Sequence, residues 1–229
     1  FLLSQPHLFA EETVDTTKHD PAEYLSNTLP VLYISTVDET PIVNTEDYIE
    51  GSYHLDANGC EGYESIGTVD EPLPLTIKGR GNASWRLPKK PYRLKLNAKA
   101  SMLGMPKSKH WVLMAAYADW LAHGRDYLNF KISEKLGMPY TTRCAPCEVV
   151  LNGDYIGMYF LTEQIRIDKD RVNINEQDDE ETDSNKITGG WLLEIDNYQE
   201  ESQIRFVDPK KPNQIMKVTY HNPEVISNE

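Results

Sequence analysis

Glu148-Val-Val-Leu-Asn-Gly-Asp-Tyr-Ile-Gly-Met-Tyr-Phe-Leu161 is the stretch on which the fold turns. Asn152-Gly153 is the dipeptide favoured where both central residues of a two-residue turn need a positive φ, and runs rich in β-branched and aromatic residues flank it. The spacing predicts a hairpin. Carried forward at period two, the second arm sets Glu163 on the face of Tyr159, Leu161, Ile165 and Ile167. A lone carboxylate on such a face costs roughly several kcal/mol, so Glu163 calls for a cationic partner.

Upstream, Leu29–Thr36, Tyr48–Leu55 and Leu73–Lys78 read as strands, and Pro91-Tyr-Arg-Leu-Lys-Leu96 alternates cleanly. Tyr92, Leu94 and Leu96 face one way, Arg93 and Lys95 the other. His110–Ala116 is a short apolar strand. Leu121, Leu128, Ile132 and Leu136 recur at helical intervals, which predicts one long helix over Asp119–Leu136, capped by Asp119 and ended by Gly137 and Pro139. Downstream, Trp191–Asp196 reads as a strand, with weaker ones near 203–207 and 215–220. The expected fold class is α+β: a mainly antiparallel sheet with one long helix. Residues 1–28 are polar and aperiodic and read as a leader or linker, and 29–229 as the domain.

The 229 residues suffice for one good core, and no apolar run is long enough for a membrane span. A net charge of −13 argues against general nucleic-acid binding. Its distribution says more than its total. From Pro72 to Ala118 there is no Asp or Glu, yet Lys78, Arg80, Arg86, Lys89, Lys90, Arg93, Lys95, Lys99, Lys107 and Lys109 lie there. An acid-free basic block inside an acidic chain points to a local anion site. Cys144-Ala-Pro-Cys147 has redox spacing but leads into a strand rather than a helix start, and no second such pair completes a zinc site.

Candidate chemistry follows from these charges. Lys78-Gly-Arg80-Gly-Asn82-Ala-Ser84 places small residues around an Arg and an Asn, which lets a backbone approach an anion. Lys89-Lys90-Pro-Tyr-Arg93-Leu-Lys95 follows it. Arg80, Lys90 and Arg93 are expected to line one concavity, with Lys95 paired to Glu163 as kinases pair a strand lysine to hold ATP phosphates. Glu194 and Asp196 lie two apart on a strand, so both reach one face, where Mg²⁺ or a basic side chain must separate them.

Taken in order, Ile-Lys-Gly-Arg-Gly-Asn-x-Ser-Trp (77–85), Lys-Lys-Pro-Tyr-Arg-Leu-Lys-Leu (89–96), Leu-Gly-Met-x-Lys-Ser-Lys (103–109), Trp-Val-Leu-x-Ala (111–115), the hairpin at 148–157, Leu-Thr-Glu-Gln-Ile (161–165) and Gly-Gly-Trp-Leu-Leu-Glu-Ile-Asp (189–196) resemble the CotH kinase family. The resemblance implies a remote protein-kinase-like fold in a secreted, envelope or spore-surface protein that binds ATP with a divalent metal. It assigns Arg80, Asn82, Lys90, Arg93, Lys95, Arg125 and Glu163 to nucleotide binding and Mg²⁺ to Glu194 and Asp196. A coat or surface protein is the implied phosphoacceptor. The chain departs from the family at Gly124-Arg125-Asp126, where relatives carry Leu-Arg-Asn, so Arg125 transfers and the Asn does not. No Asp-Phe-Asp occurs in the 229 residues. The family's catalytic Asp and that metal motif are therefore expected beyond residue 229, and the segment is expected to bind nucleotide without transferring phosphate. The alternative is a non-catalytic surface or scaffold domain that binds glycans or partner proteins.

Overall fold

A computed structural model describes residues 17–119, 124–177, 183–186, 190–195, 203–207, 210 and 215–222. The chain divides into two compact units, one of Phe1–Leu136 with Arg143–Gln164, the other of Gly137–Thr142 with Ile165–Glu229. Seven strands make up the first unit: β1 (Val31–Thr36), β2 (Ile49–Asp56), β3 (Leu73–Gly79), β4 (Tyr92–Ala100), β5 (Ser108–Met114), β6 (Cys144–Leu151) and β7 (Asp154–Glu163). They close into a barrel in the order β1-β2-β3-β4-β5-β7-β6. Every pairing is antiparallel except the one that closes the ring, β1 against β6.

Register shows how alternation fills the barrel. Ile77 opposes Leu94, Leu94 opposes Trp111, and Trp111 opposes Glu163. Partners across a ladder share a face, so this row points inward together. The next row joins Leu113, Leu161 and Ala145. Leu32, Leu55, Ile77, Leu94, Trp111, Leu113, Cys147, Val149 and Leu161 have no exposed surface at all. Trp111 keeps its indole N–H satisfied inside that core by donating to the Ser108 carbonyl at 3.0 Å.

The hairpin forms as its sequence requires. Asn152 and Gly153 both have positive φ, 52° and 76°, and join Leu151 to Asp154. The Asn152 side chain does a second job. Its Oδ1 accepts from the Thr36 N–H at 2.8 Å and its Nδ2 donates to the Thr36 hydroxyl at 2.9 Å, tying the turn to the end of β1. Residues 17–28, which the sequence assigned to a leader or linker, are fastened to the same barrel. α1 (Pro21–Tyr24) stacks Tyr24 on Tyr155. Just after it, the Ser26 N–H and hydroxyl donate to the buried Glu148 carboxylate, which also accepts from the Tyr155 hydroxyl at 2.9 Å.

The α+β expectation is overturned. The structure is mostly β, and α2 (Arg125–Lys135) is the single helix longer than two turns among the described residues. It is also shorter than the expected 119–136 span, of which 120–123 lie outside the described residues. None of its residues is buried. Leu128, Ile132 and Leu136, the stripe that suggested a core face, are 58%, 46% and 75% exposed. The helix turns Tyr127 instead toward the outer face of β7, where its ring stacks on Phe160 at 5.8 Å. The reason is closure: the barrel's inner faces fill one another and leave the helix no core to cover.

In the second unit β8 (Leu192–Ile195), β9 (Gln203–Val207) and β10 (Ile215–Asn222) form a three-stranded antiparallel sheet in the order β8-β10-β9. Among the described residues no helix is long and apolar enough to cross a membrane.

The contrast between barrel and helix is measurable by chemical denaturation. Trp111→Ala is expected to cost about 3–5 kcal/mol through the cavity it leaves. Leu128→Ala, on the exposed stripe, is expected to stay within about 0.5 kcal/mol. A large loss at Leu128 would show that the helix face is packed.

Candidate functional site

Four residues of the basic block, Arg80, Arg86, Lys89 and Lys90, fall in the loop from Gly79 to Pro91 that joins β3 to β4, and most of the others lie on β3, β4 and β5. The loop's first residue must be glycine, because a Cβ there would lie 2.4 Å from the Asn44 carbonyl oxygen and 2.6 Å from the Trp85 ring. Gly81 has φ +83°, a backbone that other residues rarely adopt. Between them the Arg80 N–H donates to the Pro91 carbonyl at 3.1 Å and closes the loop on itself. A 3-10 turn at Ser84–Arg86 then carries Trp85 back over the barrel, edge-on to Tyr92.

Two adjacent lysines of this loop have different tasks. Lys90 is a brace: its ammonium donates to the Trp85 carbonyl at 2.8 Å, lies 5.3 Å from that indole's centroid, and its own carbonyl accepts from the Tyr159 hydroxyl. Lys89 reaches across to β7. Its ammonium hydrogen-bonds the Met158 carbonyl, sits 4.3 Å over the Tyr159 ring, and packs against Gly157, where a Cβ would stand 3.5 Å from Nζ. Among the described residues no carboxylate forms an ion pair with Lys89, and partial burial pushes its pKa down to about 8.

Lys89 lines a pocket of about 420 Å³. Arg80, Ser84, Leu87 and Pro91 of the loop make one wall, Met114 at the end of β5 with Ala115–Asp119 after it a second, and Arg125, Asp126 and Asn129 of α2 a third. Asp119, foreseen as the helix's N-cap, does not hold that position, which falls to Gly124; it stands six residues before Arg125, the first helical residue. Its Oδ2 accepts from the Arg125 N–H at 2.7 Å and its Oδ1 from the Arg125 Nε at 2.6 Å. That pair fixes the Arg125 side chain at the pocket rim.

The sequence-chosen residues therefore divide. Arg80 and Arg125 line the pocket. Asn82 is exposed in the loop and Lys90 braces it, and neither lines the pocket. Arg93 stands on the outer face of β4 opposite Lys78, its Nε buried without a hydrogen-bond partner. The expected pairing of Lys95 with Glu163 does not form. Leu94, Trp111 and Glu163 share the inner face, so Lys95, next to Leu94, must point outward, where it is exposed. The partner of Glu163 is Arg143: Nη1 donates to Oε1 at 2.7 Å and the backbone N–H to Oε2 at 3.2 Å. With that partner, Glu163 sits at the end of β7 fully buried. Ile165, expected on the same face, follows the strand's end and is exposed.

Glu194, one half of the expected metal pair, is an exposed β8 residue whose carboxylate meets His221 Nε2 at 2.5 Å. Asp196 lies outside the described residues. No group of three or more His, Cys, Asp and Glu side chains among the described residues could hold a metal. The described donors thus do not compose a magnesium site. Cys144 and Cys147 are free thiols with pKa values raised by burial to about 11 and about 12, so neither offers a thiolate.

Lys89 gives the pocket a pH signature. Below about 8 it is a cation, and above that it is neutral, so anion affinity must fall as pH rises through that value. Sulfate is a suitable probe because its own charge is constant across that range. Calorimetric titration is expected to show affinity dropping between about pH 7 and about pH 9, and Lys89→Met is expected to flatten the profile. A pH-independent affinity in the wild-type chain would exclude Lys89 as a ligand.

Comparison with curated proteins returns no match. A family model described as CotH kinase protein matches residues 77–224, a span that includes every residue lining the pocket. That match covers well over half of the chain, which therefore belongs to the CotH kinase protein family.

Proposed function

We propose that this chain binds ATP in the pocket between the Gly79–Pro91 loop and α2, as the nucleotide-binding part of a CotH-type protein kinase acting on coat or surface proteins. The observation that carries this reading is the convergence of Arg80, Lys89 and Arg125 on one concavity from three separate points of the chain. Asp119 and Asp126 line the same pocket and Asp119 already pairs with Arg125, so a polyphosphate would be held chiefly by Arg80 and Lys89 with Arg125 shared, and Arg forks match its oxygens. Leu87, Pro91 and Met114 supply apolar surface on the same walls for a base. The volume of about 420 Å³ lies in the range of small-ligand sites.

The loop suits this task physically. Its glycines let the backbone turn tightly against Asn44, Trp85 and Ser84, while Trp85 and Lys90 hold it in place before any ligand arrives, so little ordering remains to be done on binding. In the family a divalent ion accompanies the nucleotide and neutralises its phosphates. Here the protein cations provide part of that neutralisation. Membership of the CotH family also supports placement outside the cell, in the envelope or on a spore surface.

Isothermal titration with ATP tests the assignment. Arg80→Ala, Lys89→Ala and Arg125→Ala are each expected to weaken binding roughly tenfold or more, the usual loss for a charged hydrogen bond. Lys95→Ala, on the outer face, is expected to change it less than about twofold. Binding is also expected to weaken with added salt. If Lys95→Ala costs as much as Lys89→Ala, the nucleotide lies elsewhere.

A further inference from the structure

We propose that Lys89 is an acylation site: its amine takes an acyl group from an acyl phosphate seated in the pocket, and the modified side chain then closes the pocket to anions. The inference rests on reading that pocket as an anion site, but does not need the anion to be ATP.

Three features combine at Lys89 that no other described lysine brings together. The side chain lines a pocket whose other cations, Arg80 and Arg125, can seat a phosphate. The amine is fixed by the Met158 carbonyl and the Tyr159 ring rather than swinging in solvent. Among the described residues no carboxylate forms an ion pair with it, and at a pKa of about 8 roughly a tenth of it is free amine at pH 7, against well under a thousandth for an ordinary lysine. Lys90, its neighbour in the chain, is the internal control: its ammonium is likewise held by a backbone carbonyl, that of Trp85, but it does not line the pocket.

The chemistry balances without a further reagent. The Nζ lone pair attacks the acyl carbon and a C–N bond forms. The bond from that carbon to the bridging oxygen breaks, and inorganic phosphate leaves with the electron pair beside the two arginines. The surplus proton on nitrogen passes to water. The product is an amide, which has lost the cation that the pocket presents to phosphates and added bulk beside Gly157.

The experiment treats the full chain with acetyl phosphate and follows occupancy at each lysine by peptide mass spectrometry over time. Lys89 is expected to be acetylated about tenfold faster than Lys90 or Lys95. Inorganic pyrophosphate, or Arg80→Ala with Arg125→Ala, is expected to slow it to the Lys95 rate. Acetic anhydride, which carries no phosphate, is expected to discriminate less. The proposal is overturned if Lys89 reacts no faster than Lys95, or if its rate ignores both pyrophosphate and the arginines. ATP titration of the same samples separates the two readings. Selective, arginine-dependent acetylation in a chain that does not bind ATP supports the acylation site and refutes the nucleotide. Intact ATP binding with unselective acetylation does the reverse.

Discussion

The larger unit depends on a pairing between strands that are far apart in the chain. β1 lies against β6 in parallel, Leu32 opposite Val149, and that single ladder turns an open antiparallel sheet into a ring. Without it the sheet would present two open edges, and Leu32, Leu55 and Val149 would lose the opposing wall that buries them completely. Asn152 reinforces the joint from the hairpin tip by engaging the N–H and the hydroxyl of Thr36. A ring so closed fixes the ends of β3 and β4, and hence the two anchor points of the loop between them.

From those anchors the site is built largely by shared residues. Tyr159 fills the barrel with its ring, offers the face of that ring to Lys89, and gives its hydroxyl to the Lys90 carbonyl. Burial raises its own pKa far enough that it stays a phenol. Packing and cation placement are thus the same contact viewed from two sides. A change at Tyr159 would loosen the loop, the lysine and the core together, which is why the site's cations are better tested one by one at their own positions.

Much of this was legible in the chain. The Asn-Gly turn, the alternation of β4 and the acid-free block all act through nearest neighbours, and each left a local mark. Ring closure did not, because a parallel contact between residues more than a hundred positions apart leaves no period of its own. The error at Lys95 was avoidable: the alternation that puts Leu94 inside puts Lys95 outside, on the opposite face from Glu163. Arg143 carried no signal, standing as an isolated cation just before β6. In the helix the stripe at Leu128, Ile132 and Leu136 had the right period but meets no core. Lys89 was missed in favour of Lys90 because a loop has no periodicity to say which of two adjacent lysines turns inward. Only the glycine at 157, across the sheet, marks the space Lys89 occupies.

Cys144 and Cys147 lie an odd number of residues apart on one strand, so they project to opposite faces and cannot bridge. Cys147 points into the barrel opposite Tyr159, without exposed surface and with its thiol held protonated by burial. Alkylating and disulfide reagents attack thiolates they can reach, and while the ring is closed they find neither at this position. The chain consequently carries its own clock for barrel opening. The rate at which Cys147 is trapped by excess reagent reports how often the seven-stranded ring comes apart under native conditions, with no label added.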